Sequence, residues 1–318
     1  MRIQSARMAA IPDFFIVGAA KCGTTALFQY LSQHPAVFMP AMKEPKYFCT
    51  DLKTVGSVRS REDYMALFAP APGECLTGEA SCWYLYSKIA IERIMAHNPG
   101  AKIIVMLRYP VDAAHSLYEA AWGYRHENIA DFEQAWRVQP DRLSGRYMPP
   151  NWPDAATLQY GAMYRYAEQV RRVLDLVPPA QRHIIIYEEF FSDPRHHYAE
   201  VLKFLKLPDN GATRFTVINP AVGAKSPLLD HLLRTPPSWL TSLYAMIRPL
   251  TRAAGLHPAA MLWKLNTAPR EKTPMRAAFR AELDRYFAAD IAELEGLLGR
   301  RLWQDRPAAT LSRHASGA

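Results

Sequence analysis

Cysteine is scarce in this chain, at 4 of 318 residues: Cys22, Cys49, Cys75 and Cys82, all in the first quarter and none in CxxC spacing. That scarcity excludes a disulfide framework, a zinc ribbon and a dithiol redox motif, and the four read as reduced thiols in or near a core. Long hydrophobic runs are lacking as well. The best, residues 14–17 and 103–107, are strand-sized, well short of the roughly 18 uncharged apolar residues of a membrane span. Pro12, Asp13 and Lys21 interrupt the N-terminal apolar stretch, which therefore reads poorly as a signal peptide. The expectation is a soluble, cytoplasmic protein. The sequence shows no internal repeat, low-complexity tract or metal-ligand cluster, so no metal is expected.

Apolar mass is plentiful. Hydrophobic residues make up 49% of the chain, enough to bury a large core, and 38 Lys+Arg against 30 Asp+Glu leave a net charge of +8. The expected organisation is a flexible N-terminus over 1–12 and a single domain over 13–306. Within that domain lie a core (13–207) and a helical C-terminal part (228–306), and a disordered tail covers 307–318.

Three stretches set the fold class. Residues 14–17 (FFIV) pass through the small-residue turn GAAKCGTT into helical apolar spacing at Leu27, Phe28 and Leu31. Residues 102–108 predict a second strand, followed by a helix from Pro110 to about Tyr124; residues 183–187 predict a third, followed by a helix from Pro194 to about Leu205. Residues 76–79 add a candidate fourth. Short β-branched runs alternating with helices predict an α/β fold, a three-layer arrangement with a central parallel sheet flanked by helices. Ligands collect beyond the carboxyl ends of such strands, where residues 18–25, Glu79 and Arg108 all fall. The proline-rich stretch 139–154 and residues 208–227 predict long loops, and a terminal helix is expected over 274–298, capped by Thr273 with Pro274 in its first turn.

A small-residue loop entering a helix aims backbone N–H groups and the positive helix end at one point, a geometry suited to phosphate or sulfate. Lys21 adds a point charge, and Thr24 and Thr25 add hydroxyls. The nucleoside triphosphate signature GxxxxGK[ST] is absent, because Lys21 precedes Gly23 and no lysine stands directly before the threonine pair. An Arg leaving a strand end offers a planar fork to a phosphate, and Ser116, two turns into the next helix, can reach the same group.

These motifs resemble those of the sulfotransferases that use 3′-phosphoadenosine-5′-phosphosulfate (PAPS). GAAKCGTTAL is similar to their 5′-phosphosulfate loop, and the segment from Arg108 to Ser116 to their 3′-phosphate motif. The similarity runs from about residue 14 to 207 and more weakly to the final helix. It implies a P-loop-like fold, PAPS as sulfuryl donor, and cofactor-binding roles for Lys21, Cys22, Gly23, Thr24, Thr25, Arg108 and Ser116, with Lys225 reaching the 3′-phosphate from a later loop. The stretch Lys43-Glu44-Pro45-Lys46-Tyr47-Phe48 resembles the heparan sulfate N- and O-sulfotransferases and many bacterial relatives. The resemblance makes Glu44 the catalytic base, Lys46 a supporting cation and Lys21 a catalytic cation. Residues 78–84 look like the family's GEKxxxY segment but carry Ala80 where lysine is frequent, for which Lys46 or Lys88 would substitute. Glu79 is then either a second carboxylate at the site or a helix-cap partner. Gln159 to Tyr164 resemble a segment that contacts cofactor or acceptor in the family.

The expected activity is an EC 2.8.2 sulfuryl transfer by in-line displacement to a hydroxyl or amine of a carbohydrate or glycolipid, with an aromatic or peptide natural product as the second choice of acceptor. Tyr147, Trp152 and Tyr160 are candidates for stacking on it. A glycolipid acceptor would bring peripheral membrane contact. His34 and His115 are read as structural. Two other classes are less favoured: a small-molecule kinase, which lacks its GK[ST], and a non-catalytic binder of anionic glycan or nucleic acid, which lacks a basic stripe with interleaved aromatics. No nucleic-acid partner is expected, and the sequence sets no oligomeric state.

Overall fold

The computed structural model describes residues 11–304 except 55, 125, 151, 153, 216–221, 227–266 and 270–272. Strand β1 (Phe14–Gly18), buried along its whole length, leads into α1 (Thr24–Ser32). There follow β2 (Val37–Phe38), α2 (Arg61–Ala66), β3 (Leu76–Ala80), α3 (Ala90–His97), β4 (Lys102–Leu107) and α4 (Pro110–Gly123). Short helices α5 (Phe132–Arg137), α6 (Gln139–Leu143) and α7 (Tyr160–Met163) precede α8 (Tyr166–Leu176), β5 (Arg182–Ile186), α9 (Tyr187–Ser192) and α10 (Pro194–Leu205). A separate antiparallel pair, β6 (Val222–Ala224) with β7 (Thr267–Pro269), the long α11 (Ala277–Leu298) and two 3-10 turns, Ala155–Leu158 and Pro179–Gln181, complete the described elements.

The main sheet has the order β2-β3-β1-β4-β5, and every pairing in it is parallel. Strands buried on both faces need no polar alternation, which is why β1 and β4 read as continuous apolar runs. From β1 the chain steps outward to β2, returns through β3, and crosses to β4 on the opposite side. The carboxyl ends of β1 and β4 therefore form the topological switch point, where a crevice opens in sheets of this kind.

The registers explain local residue choices. Phe14 pairs with Gly78, and a Cβ at Gly78 would lie 2.1 Å from Phe14 Cζ and 2.5 Å from Met39 Sδ. Only glycine leaves room for that ring. At the far end of the chain, Asp290 of α11 accepts from the backbone N–H of Tyr166 at 2.7 Å, capping α8 from a distance of 124 residues. Tyr109 Oη donates to Asp284 at 2.7 Å and Arg280 pairs with Asp112 at 2.9 Å, so α11 also grips the start of α4.

Several boundaries differ from the sequence expectation. The two-residue β2 and the helix α9 were not expected, the first because it is too short to show a period and the second because it follows β5 without a turn signal. The 139–154 stretch begins as helix α6: Pro140 fits a first turn, and Arg142 is anchored by Glu127 in a fully buried pair. The last helix starts at Ala277 with Arg276 as its N-cap, not at Thr273-Pro274. Of the expected flexible N-terminus, residues 1–10 lie outside the described residues, whereas Ile11 and Pro12 are tied by their carbonyls to Thr77 and Asn98. Of the helical C-terminal part expected over 228–306, residues 228–266 also lie outside, as does the tail over 307–318.

Gly78→Ala should lower stability by about 1–3 kcal/mol, through overpacking against Phe14. The urea midpoint measures this, and an unchanged midpoint would contradict the packing described.

Candidate active site

The loop between β1 and α1 is held from several directions. Ala19 N–H donates to Met106 O at 2.7 Å, Tyr164 Oη to Ala20 O at 3.0 Å, and Arg108 Nη1 to Lys21 O at 3.3 Å. Cys22 Sγ lies 3.5 Å from Tyr166 Oη, and burial pushes this thiol up to about 12. The N-cap of α1 is Gly23, whose φ of 88° and closeness to the Phe191 ring (2.9 Å from an added Cβ) both require glycine. Glycine also supplies no capping side chain to occupy the amides of Thr24 and Thr25, whereas the Ala26 N–H donates to Gly23 O at 2.9 Å. The Cys22 N–H is the weakest of the expected amide donors, since it already donates to Ala19 O at 3.3 Å.

Arg108 leaves β4 directly into this crevice. It is 8% exposed, its guanidinium sits 4.5 Å over the Tyr187 ring centroid, and its Nε is buried with no hydrogen-bond partner. An unsatisfied buried donor of this kind costs about 1–3 kcal/mol unless a ligand meets it. Ser116 is buried on α4. Lys225 is exposed just beyond β6, which packs against α4.

Glu44 lies within electrostatic reach of Lys21. Its carboxylate pairs with Lys43 at 3.1 Å and Lys46 at 3.9 Å. Burial would raise its pKa, but Lys43, then Lys46, and a hydrogen bond with Cys82 together hold it below the usual carboxylate range. The pKa of Lys21 is lowered, chiefly by burial and then by Arg108 and Lys43 against the opposing pull of Cys82 and Glu44. Arg108, Glu44, Lys43 and Cys82 thus lie within electrostatic reach of Lys21, with Lys46 on Glu44. Sequence reasoning gives no part to Lys43, Cys82, Tyr166 or Tyr187, and names Tyr164 only as the end of a segment resembling one that contacts cofactor or acceptor. Lys43 was legible in the quoted motif, whereas the others act through tertiary contacts that no spacing announces.

Other candidates fall outside the crevice. Glu79 is 0% exposed and accepts from Ser81 Oγ (2.6 Å), Tyr64 Oη (2.6 Å) and Tyr84 Oη (3.1 Å), so it is neither a second carboxylate facing the crevice nor a helix cap. Tyr160 cannot stack on an acceptor: it is 0% exposed and donates to Glu127 at 2.6 Å. Trp152 packs on His126 with ring centroids 4.2 Å apart, while Tyr147 is exposed. Ala80 is buried, Lys88 is exposed, and Lys46 Nζ lies 3.9 Å from the Glu44 carboxylate. His34 Nδ1 accepts from Ala36 N–H at 3.1 Å, leaving Nε2 to donate to Pro208 O at 3.0 Å, a structural role. His115 lies 3.6 Å from Glu119 on the same helix.

A parallel α/β sheet with a small-residue loop, a lysine and a buried arginine at its switch point has the chemistry to receive an anion. Residues 11–217 match the family model for the sulfotransferase domain, and the chain belongs to that family. It is similar to a human bifunctional heparan sulfate N-deacetylase/N-sulfotransferase 3 (28% identity over 206 residues, 61% of this chain and 22% of that protein). It is also similar to mouse carbohydrate sulfotransferase 15 (33% identity, 35% of this chain and 28% of that protein). The chain therefore spans about a quarter of the length of these curated relatives. Among solved structures, a sulfotransferase from Alicyclobacillus acidocaldarius superposes with a TM-score of 0.67 at 29% identity, covering 92% of this chain and 98% of that one.

Lys43→Met should raise the pKa of the Glu44 carboxyl, because it removes the nearer of the two cations that favour its ionised form. Side-chain carboxyl NMR titration reads the shift directly; an unmoved titration would show that Lys43 does not set the charge state of Glu44.

Proposed function

We propose that this protein transfers a sulfuryl group from PAPS to a hydroxyl or amine of a carbohydrate or glycolipid, with Glu44 as general base, within a single domain spanning residues 13–306. The observation that carries the reading is Arg108: a buried guanidinium whose Nε has no partner, set against an amide-lined loop and a desolvated lysine. That donor set fits a ligand carrying a phosphate at each end of a nucleoside. The carbohydrate acceptor rests on the likeness of residues 43–48 and on relatives named as acting on heparan sulfate and carbohydrate.

When bound, PAPS supplies a sulfuryl group already activated by its bisphosphate leaving group. The amides of Gly23, Thr24 and Thr25 hold the 5′ end, with Lys21 neutralising charge that grows on the leaving oxygen. Arg108 and Ser116 hold the 3′-phosphate, and Lys225 approaches it from beyond β6. The pairing of Glu44 with Lys43 and Lys46 keeps it ionised at neutral pH and thus able to take the proton of the acceptor O–H or N–H. Lys46 adds positive charge beside the transferring group. Alignment and preorganised charge supply the rate enhancement in such transfers. A cytoplasmic location accords with four free cysteines and with the lack, among the described residues, of any helix long and apolar enough to cross a membrane.

Isothermal titration should show a clear preference for 3′,5′-bisphosphoadenosine over 5′-AMP, and Arg108→Ala should erase it; equal weak binding of both nucleotides by the wild-type protein would refute the donor assignment. Glu44→Gln should retain bisphosphoadenosine affinity while losing about 10²–10⁴-fold in transfer rate. A variant with undiminished transfer would remove Glu44 from the base role.

A further inference from the structure

Glu79 is buried within the core, and the proposed reaction does not use it directly, yet every group it binds goes on to touch the loop that carries Glu44. Ser81 Oγ, which donates to Glu79 Oε1 at 2.6 Å, accepts from the Lys46 N–H at 3.0 Å. Tyr84 Oη, which donates to Glu79 Oε2 at 3.1 Å, accepts from the Phe48 N–H at 3.4 Å. Tyr64 Oη donates to the same oxygen at 2.6 Å, and its ring stacks on Tyr47 with centroids 4.3 Å apart and planes 12° off parallel. Residues 46, 47 and 48 are each held by a different hydroxyl-bearing side chain, and all three hydroxyls converge on one carboxylate. Lys46 has a φ of 56°, a left-handed conformation that a side-chain-bearing residue keeps only where its surroundings impose it.

We propose that Glu79 is a positioning residue for sulfuryl transfer: as a carboxylate it orients the hydroxyls of Tyr64, Ser81 and Tyr84 so that they clamp residues 46–48 and hold Glu44 at the crevice. The inference rests on Glu44 being the base. The chemistry is one of direction. A hydroxyl has one proton, and an ionised carboxylate only accepts. With Glu79 ionised, Ser81 and Tyr84 spend their protons on it and turn lone pairs toward the loop amides. Once protonated, Glu79 must itself donate to one of these three oxygens, and that hydroxyl has to rotate, which loosens the clamp.

The surroundings make that change accessible near neutrality. Burial first, with a smaller contribution from the charge of Glu44, raises Glu79 to about 7 against the lowering effect of its three hydroxyl donors. Among its neighbours, α2 contributes Tyr64, the segment after β3 contributes Ser81 and Tyr84, and the loop contributes Glu44 and Cys49, with Lys46 acting on both of those. The paired residues of β1 are apolar.

The test follows amide hydrogen exchange by NMR in the full-length protein. Glu79→Gln should speed exchange at Lys46 and Phe48 by about tenfold, while amides of β1 and β4 stay within about twofold of wild type. Ser81→Ala should expose Lys46 alone. In the wild-type protein, protection of these two amides, corrected for intrinsic exchange, should fall between pH 8 and pH 6 with sheet protection unchanged. The proposal is overturned if Glu79→Gln leaves both amides protected. It also fails if sheet and loop lose protection together, or if wild-type loop protection is flat across that pH range. Glu44→Gln separates the two claims: it should leave Lys46 and Phe48 protected, and retained transfer by that variant would refute the base without touching the clamp.

Discussion

Positive charge crowded into one crevice is the constraint on which the rest of this structure depends. Lys21 lies within electrostatic reach of Arg108, Lys43 and Glu44, and Lys43 and Lys46 pair with Glu44. Like charges at this range repel, and burial removes the water that would screen them. The lowered pKa of Lys21 and the unpartnered Nε of Arg108 record that cost. The Tyr187 ring beneath the guanidinium offsets part of it. The proposed donor, anionic at both ends, would supply the remainder.

Holding such a site open falls to packing at a distance. Parallel pairing of β1 with β4 brings Gly18 opposite Val105, and the loop after β1 reaches across to Met106 O. Tyr164 and Tyr166, at the join of α7 and α8, seat Ala20 and Cys22. Asp290 of α11 accepts from the Tyr166 amide, so the C-terminal helix is linked to the anion loop through two contacts in series. Glu79 performs the corresponding task for the Glu44 loop.

The elements legible in the sequence were those whose signal is local. The apolar run at 14–17, the small residues before Thr24, and the arginine at the end of residues 102–108 each declare backbone geometry within a few positions, and the structure puts a strand, a loop and a strand end where they predict. Glu44 and Lys46 were legible by resemblance, and the structure brings them to the same crevice as Lys21. Glu79 was not legible. A buried carboxylate and a catalytic one look alike in sequence, and only the hydroxyls of Tyr64, Ser81 and Tyr84 distinguish them. Tyr160 misled for the related reason that an aromatic in a polar stretch gives no sign that Glu127 and Arg142 will bury it. Helix α6 was hidden by Pro140, a residue as much at home in a first helical turn as in a loop.

The central claim is that the unsatisfied Arg108 and the α1 amides form one receptor for the two phosphates of a bisphosphonucleoside. A crystal structure of the protein with 3′,5′-bisphosphoadenosine tests it most directly. The account predicts the 3′-phosphate in hydrogen-bonding contact with Arg108 Nε and Ser116 Oγ, and the 5′-phosphate on the amides of Gly23 to Thr25 with Lys21 alongside. A nucleotide bound elsewhere, or one that leaves Arg108 Nε without a partner, would contradict it.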